Sequence, residues 1–242
     1  MKNPLLPLVC TALLLVVPAG AQMDPNPGDR SSLQIIRTVE PSFPLALLHG
    51  PVLNGNARVA IDVDENGKLG DLIVTGYSRK EFADTAVELV RQWQYVPPLH
   101  QGRPWSSIRE LRFDFSRTGV VVNFVGAEAM LNRMDELLQG SYVYRTHALR
   151  ELDRIPTPIH VVNPDTPAPG PHARYKHTVN VEFYIDEQGQ VRLPAVSRDE
   201  AGSVYAASAL DAVRQWRFDP PTVKGRPVLV LATQQFNFVP KN

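Results

Sequence analysis

The sequence predicts an α+β protein of two tandem β-β-α-β domains, each a small antiparallel sheet packed against one helix. The main observation is an internal repeat, because residues 86–98 recur as residues 209–221 at an offset of 123 residues. Both copies read as the end of an amphipathic helix and contain Arg-Gln-Trp, an aromatic residue two positions later, and then Pro-Pro. Both are followed at equal distance by Gly-Arg-Pro, and a match this long at a fixed offset indicates a duplication.

Length and charge restrict the classes of protein. A chain of 242 residues forms one or two domains, and the repeat favours two domains of about 100 residues, each able to bury a modest core. The composition is that of an ordinary globular protein, with 43% hydrophobic and 21% charged residues. A formal net charge of zero argues against a nucleic acid or an anionic membrane surface as partner.

The first 21 residues have the pattern of a signal peptide. Lys2 precedes an apolar run over residues 5–17, and Ala19-Gly20-Ala21 forms an A-x-A cleavage site before Gln22. Cleavage makes the mature protein periplasmic or secreted, and it removes Cys10, the single cysteine, so no disulfide is expected. The alternative is an uncleaved inner-membrane anchor, although the run is short of the ~20 residues that span a bilayer.

The first domain is predicted over residues 33–117. Alternating apolar residues at 59–63 and 69–74 predict two strands, joined by a tight turn at Asn66-Gly67. Ser78 and Glu81 form a capping-box pattern before a helix whose apolar stripe ends at Trp93. Pro97-Pro98 stops that helix, and alternation over residues 111–115 predicts the third strand.

A connecting segment over residues 118–155 separates the repeats. It begins with a short apolar run at residues 120–124 and contains a helix pattern at residues 126–139, read as a connecting helix in preference to a partner-binding one. The second domain is predicted over residues 156–240, with strands at 179–183, 191–196 and 228–238 and a helix at 203–216.

Residues that recur in both repeats are interpreted as structural. Trp93 and Trp216 end apolar helical stripes, which indicates core anchors rather than ligand platforms. The prolines and glycines that follow mark the turn into the last strand. The predicted structural signature consists of Trp93, Pro97, Pro98, Gly102, Trp216, Pro220, Pro221 and Gly225.

No pattern in the sequence supports catalysis or metal binding. Asp62, Asp64 and Asn66 mimic the start of a calcium loop, but Ile73 stands where a bidentate Glu is required, so the segment is read as a hairpin turn. His172 and His177 lie on a Pro-rich linker without a convincing third ligand. The mature chain has no nucleophile elbow, Gly-rich phosphate loop or cysteine nucleophile. We therefore expect no cofactor, no metal, no small-molecule substrate and no enzymatic activity.

The chain resembles the TonB C-terminal domain family over roughly residues 41–115 and 156–240. The resemblance rests on a hairpin with Asn-Gly or Gln-Gly at its tip, then Ala-x-x-x-Val-Arg-Gln-Trp-x-aromatic-x-Pro-Pro, Gly-Arg-Pro, and a last strand with Phe-x-Phe. Pro41-Ser42-Phe43-Pro44 is similar to the family's Pro-x-Tyr-Pro motif. The family's best-known members are inner-membrane-anchored energy transducers of Gram-negative bacteria, whose single C-terminal domain pairs with an extended segment of an outer-membrane transporter.

Three departures separate this chain from those transducers. Its N-terminus looks cleavable, it has no long spacer rich in Pro, Lys and Glu, and it has two domains. The second repeat also has Thr166 where the first has the aromatic Phe43. The resemblance therefore implies recognition of a protein by strand addition. The alternative is anchored energy transduction for outer-membrane transport. A third hypothesis, independent of the resemblance, is an enzyme.

The third strand of each domain is the candidate binding site. If that strand lies at a sheet edge, its unpaired backbone groups can template an incoming strand of an envelope protein. The alternative is that the two domains pair with each other's edges as an intrachain pseudo-dimer. The candidate partner-binding residues are Pro41, Phe43, Pro44, Arg112, Asp114, Gln234, Gln235 and Asn237.

Overall fold

The computed structural model describes residues 32–100, 102–125, 142–165, 177–196 and 203–239. In this part of the chain the predicted α+β class is confirmed: antiparallel sheets dominate, with two α-helices. The predicted signal peptide, the predicted helix at residues 126–139, and His172 lie outside the described residues. Within the described ranges, no helix combines the length and the apolar character that a membrane crossing requires.

The first repeat, together with two strands of the connecting segment, forms a sheet with a helix on one face. Its elements are β1 (Gln34–Ile36), a 3-10 turn (Leu45–Leu47), β2 (Asn54–Val63), β3 (Leu69–Tyr77), α1 (Lys80–Gln92), β4 (Gln94–Val96), β5 (Leu99–His100), β6 (Arg103–Pro104), β7 (Ser107–Ser116) and β8 (Gly119–Phe124). A short strand from the connecting segment, β9 (Tyr144–Arg145), completes the sheet, whose order is β8-β7-β2-β3-β9. We call this the first unit.

The second repeat, together with the end of the connecting segment, forms the second unit on the same plan. Its elements are β10 (His147–Ala148), a 3-10 turn (Leu149–Glu151), β11 (Pro158–His160), β12 (His177–Ile185), β13 (Val191–Val196), α2 (Val204–Val213), β14 (Arg217–Phe218), β15 (Thr222–Val223), β16 (Arg226–Pro227) and β17 (Val230–Phe238). The sheet order is β10-β17-β12-β13, and the β10–β17 pair is parallel.

The two hairpin turns use the same chemistry. Gly67 and Gly189 both have a φ of 78°, which favours glycine. In the first turn the Asp64 carboxylate accepts hydrogen bonds from the backbone N–H groups of Asn66 (2.9 Å) and Lys68 (2.8 Å). Asp186 does the same in the second turn. Asp64, which belongs to the pattern that resembles the start of a calcium loop, is thus used in turn formation.

The start of α1 differs from the prediction. The helix begins at Lys80 after Arg79, which provides no side-chain cap, so the predicted capping box is wrong. The Ser78 hydroxyl instead accepts a hydrogen bond from the backbone N–H of Asn56 (2.9 Å) on β2. A tertiary contact has therefore replaced the local cap. In α2, by contrast, Ser203 is the N-cap and accepts from the N–H of Tyr205 (3.3 Å).

The core of the first unit lies between α1 and its sheet. Phe82 is fully buried, packs edge-on to Phe43 (ring centroids 5.6 Å apart) and lies 5.0 Å from Phe115. A Cβ at Gly55 would lie 2.0 Å from the Phe82 ring, so this strand position requires glycine. The alternate residues Val59 and Ile61 of β2 face the same core, as the sequence alternation predicts.

The two units contact each other through the sheet faces that their helices leave free. Ala60 and Ile73 of the first unit form a buried cluster with Leu193 and Leu229 of the second. The Arg192 guanidinium beside this cluster binds the Asp71 carboxylate through two nitrogens, at 2.9 and 2.5 Å. This geometry is the bidentate fork of a strong charge-assisted pair.

The connecting segment joins both sheets. Tyr144 and Arg145 in β9 pair antiparallel with the end of β3, and His147 and Ala148 in β10 pair parallel with the start of β17. The backbone N–H of Thr146, between them, donates to the carbonyl of Thr75 (2.8 Å). Among the described strands no strand of one unit pairs with a strand of the other, so edge-to-edge pairing of the two domains is not the arrangement seen.

Candidate protein-binding edge

The residues of the predicted structural signature occupy matched positions. Trp93 and Trp216 are buried, and each indole N–H donates to a backbone carbonyl at 2.8 Å, that of Val39 in the first unit and Val162 in the second. Gly102 and Gly225 have φ values of 76° and 72° in the hairpins that follow. The two indole hydrogen bonds tie the leading segment of each repeat to the end of its helix.

The third strand of the first unit is an internal strand. β7 pairs with β2 on one side and with β8 on the other, where Arg112 faces Asn123 and Asp114 faces Val121. The Arg112 guanidinium lies 2.9 Å from the Asp114 carboxylate on the same strand. Since neither residue lies on a free edge, we do not include Arg112 and Asp114 in the proposed binding site.

The Pro-x-Phe-Pro motif belongs to the core of the first unit. Phe43 and Pro44 are buried, and Pro41 is half-buried. Pro44 also precedes the 3-10 turn at Leu45–Leu47. A buried side chain has little surface to offer a partner, so the binding role predicted for these residues is not carried into the proposed site.

The third strand of the second unit has one side that is mostly uncovered by the strands that the structure describes. β17 pairs with β12 along its whole length, but β10 covers its other side only at Val230 and Leu231. No described strand pairs with the outer side of residues 232–238. Three predicted residues, Gln234, Gln235 and Asn237, lie on this stretch. We call residues 232–238 the open edge.

The open edge is regular and uncharged. The register between β17 and β12 runs without a bulge over all nine residues of β17. Residues 232–238 contain no charged side chain and no proline. The exposed Gln235 amide bonds Asn180 of β12 (3.2 Å), and the Thr178 hydroxyl bonds Asn237 (3.1 Å), so the outward face is ordered by cross-strand pairs.

The edge strand on the opposite side of the same sheet is less suited to pairing. β13 contains Pro194, which has no N–H to donate, and Leu193 adopts a φ of 47° where the register with β12 shifts. Proline and bulges are the devices by which natural sheets prevent edge pairing.

Both edges of the first sheet receive side-chain donors. The Arg37 guanidinium donates to the carbonyl of Val122 on β8 (3.3 Å). The Arg192 guanidinium, from the second unit, donates to the carbonyl of Leu72 on β3 (3.2 Å). β3 is also covered at its end by β9. The open edge of β17 is therefore the longest flat edge without such a device in the described part of the chain.

An apolar groove lies beside the open edge. Its cavity volume is about 380 Å³. The floor consists of core side chains of the second unit, and the rim comes from the segment around β11 and from β17. The lining residues are Leu149, Ile155, Pro156, Pro158, Val161, Phe183, Ile185, Trp216, Phe218, Ala232, Thr233 and Gln234.

Among the described residues, the second unit has different side chains at two positions that hold buried leucines in the first unit. Leu33 is 2% exposed in the first core, and the repeat offset places Pro156 at its position. Leu111, which is 1% exposed, corresponds to Gln234. The first core is further covered by β8, which has no described counterpart beside β17.

A larger cleft of about 1090 Å³ lies between the units. It holds the carboxylates of Asp62 and Asp71 together with Arg109 and Arg214, and burial raises the pKa of the Asp62 carboxyl. Asp71 is engaged by the Arg192 pair. The described residues that line this cleft include no histidine or cysteine.

The geometry of helix, hairpin and final strand agrees with a family comparison. The family model described as Gram-negative bacterial TonB protein C-terminal matches residues 40–116 and 170–240. The chain belongs to the TonB C-terminal family. Its two matched segments correspond to the two repeats, and the family is one of non-enzymatic protein-interaction domains of the Gram-negative envelope. Comparison with curated proteins gives no match.

Sequence reasoning did not identify two parts of this site. The apolar run at residues 120–124 forms most of β8, a strand that the sequence does not predict, and in the structure Val120 and Val122 alternate with exposed neighbours. The groove has a weaker signal: Leu33 and Leu111 of the first repeat are replaced by Pro156 and Gln234 in the second. Only a position-by-position comparison of the two TonB C-terminal segments shows the replacement of these two leucines.

Proposed function

We propose that this chain is a non-catalytic periplasmic protein that binds an envelope protein by adding a strand of the partner to the open edge of β17. The observation that carries the proposal is the contrast between equivalent strands. Residues 111–116 of β7 are covered by β8, whereas the corresponding stretch of β17 has no described partner on that side.

The chemistry of the open edge suits strand addition. A strand at a sheet edge presents a row of unpaired N–H and C=O groups, which an extended peptide satisfies by main-chain hydrogen bonds. The side chains around it are amides, hydroxyls and aromatics, so an incoming strand need not remove water from a charged group on β17. Specificity then comes from the side chains that alternate along the added strand.

The proposed partner is a protein of the cell envelope with an extended segment, and family membership suggests an outer-membrane transporter. The proposal includes removal of residues 1–21 on export. It also includes the division into a first domain at 33–117, a connecting segment at 118–155 and a second domain at 156–240. The first domain then supports the second through the buried contact around Ala60 and Leu193.

Site-specific photo-crosslinking in the native envelope tests the proposal with a matched pair of positions. Asn237 on the open edge corresponds by the repeat offset to Asp114 on the covered strand β7. A photoreactive amino acid at residue 237 should give a discrete adduct with another envelope protein, and the same amino acid at residue 114 should give none. A Gln235→Pro change in the edge should remove the adduct, because proline cannot donate to a ladder.

The controls define the contrary outcome. Circular dichroism and the thermal midpoint of each variant establish that the fold is kept. Adducts of equal yield at residues 114 and 237, or an adduct at 237 that survives Gln235→Pro in a folded protein, would contradict strand addition at β17. Adducts from residue 114 alone would move the site to the first unit.

A further inference from the structure

The first unit shows what covers an edge of this type. β8 runs along β7, and its alternate residues Val120, Val122 and Phe124 pack against the core of the first unit. The residue between, Val121, points the other way and is 59% exposed. The covering strand therefore contributes one apolar row to the core beneath it as well as main-chain hydrogen bonds.

The repeat offset transfers this register to the second unit. Phe124 of β8 faces Leu111 of β7, and Leu111 corresponds to Gln234 of β17. A residue that faces Gln234 on an added strand would point toward the core of the second unit. That place is the apolar groove, since Ala232 and Gln234 line it from β17.

We propose that the groove is an anchor pocket for one large apolar side chain of the added strand, aromatic in preference, at the position that faces Gln234. This inference rests on the proposed function and names the chemistry of its partner. A dry apolar cavity of about 150 Å³ is enough to bind benzene, and the groove is larger, at about 380 Å³. Its floor includes Phe183, Trp216 and Phe218, which offer edge and face contacts to a ring.

β10 limits where the added strand can lie. His147 and Ala148 occupy the edge of β17 at Val230 and Leu231. The added strand can therefore pair only with the residues from Ala232 onward. The anchor side chain consequently lies near one end of the added segment, next to β10. The partner segment has a short alternation of apolar residues that ends in, or begins with, a bulky apolar residue.

The probe is a peptide that carries the sequence of β8 and its flanks, residues 117–125 (RTGVVVNFV). A flexible Gly/Ser linker attaches this peptide after Asn242 of the chain, and the fusion protein is purified after export. The linker supplies an effective concentration in the millimolar range, so that weak pairing is detected. Amide hydrogen exchange of residues 232–238, compared with the chain that carries the linker alone, measures binding.

Matched variants separate the anchor from the rest of the strand. In the attached peptide, Phe→Ala at the position of Phe124 should lower the protection factors about tenfold or more, and Val→Ala at the position of Val121 should leave them nearly unchanged. In the protein, Ile155→Asp should cause a similar loss, because Ile155 lines the groove. Ile159→Asp is the control, since Ile159 is similarly exposed (68% against 75%) on the same segment but does not line the groove.

The outcomes distinguish this inference from the proposed function. Protection of the edge that depends on the Phe position and on Ile155 supports both. Protection that is equal for the Phe and Ala peptides, or unaffected by Ile155→Asp, overturns the anchor pocket and leaves strand addition intact. Absence of protection with every attached peptide overturns both. If residues 232–238 are protected without any attached peptide, and this protection rises with protein concentration, a second copy of the chain is the occupant. That result also overturns the inference.

Discussion

Substitutions at Leu193 should show an unusual rank order of stability. Leu193 is 4% exposed, packs between the two units, and has a φ of 47°. The left-handed conformation costs a residue with a Cβ about 1–2 kcal/mol. Leu193→Ala removes the packing and keeps this cost, so the free energy of unfolding should fall by about 2–5 kcal/mol.

Leu193→Gly removes the same side chain and also the unfavourable backbone conformation. Glycine loses more conformational entropy on folding, which costs roughly 0.5–1 kcal/mol relative to alanine. The relief of about 1–2 kcal/mol exceeds that cost. The Leu193→Gly variant should therefore be more stable than the Leu193→Ala variant by about 0.5–1 kcal/mol, the reverse of the usual order.

Urea denaturation followed by tryptophan fluorescence measures the difference from the midpoints at equal m-values. Leu229 provides the matched control, because it is 2% exposed, belongs to the same cluster, and does not have a positive φ. At Leu229 alanine should be the better of the two replacements. An alanine variant at position 193 as stable as the glycine variant, or the same order at both positions, would refute the argument from backbone strain.

Three further predictions concern a turn, an ion pair and the N-terminus. Gly189→Ala should lower the free energy of unfolding by at least about 2 kcal/mol, because a Cβ would lie 1.9 Å from a backbone oxygen of β14. Gly225→Ala, with open space around its Cβ position, should cost only about 1 kcal/mol in the same urea assay. The Arg145 guanidinium lowers the pKa of Glu151 from 4.5 to about 2, so this carboxylate contributes stability above about pH 4.5 that is lost as the pH falls toward 2. The Arg145→Gln variant should show a smaller loss of stability over this pH range. An unchanged slope of stability against pH would contradict the pairing. Mass spectrometry of the native protein should find Gln22 at the N-terminus, and retention of Met1 in the membrane fraction would favour the anchored alternative.

The repeated local patterns of the fold were predictable. The Asn66-Gly67 turn and the helical stripe ending at Trp93 are local signals, and the duplication presents most of them twice. Exceptions occur where a tertiary contact competes with a local one. The Ser78 hydroxyl accepts a hydrogen bond from Asn56 on β2 and leaves α1 without its predicted cap. The sequence around Ser78 does not show this competing bond, because Asn56 comes close to Ser78 only in the folded sheet.

The state of each sheet edge was not predictable from the third strands themselves. β7 and β17 have similar alternation, and the difference depends on β8, whose two-residue turn at Arg117 and Thr118 has neither the Asn-Gly nor the Asp-Gly signal of a tight hairpin. The buried positions of Phe43 and Leu193 likewise depend on contacts distant in sequence. Gln234, Gln235 and Asn237 lie on the stretch of β17 that no described strand covers, and their role in binding stays a prediction.

The connecting segment has an evolutionary consequence. β8, β9 and β10 all come from the stretch between the two copies and lie outside the duplicated pattern. Of these strands, β8 covers the edge of β7 that corresponds by the repeat offset to the open edge of β17. Under the proposed function, binding of the partner would constrain the sequence of β17, whereas only packing within its own sheet would constrain the sequence of β7. Under the proposed function, the second copy binds the partner and the first copy supports it, and this difference comes from the sequence that joins them.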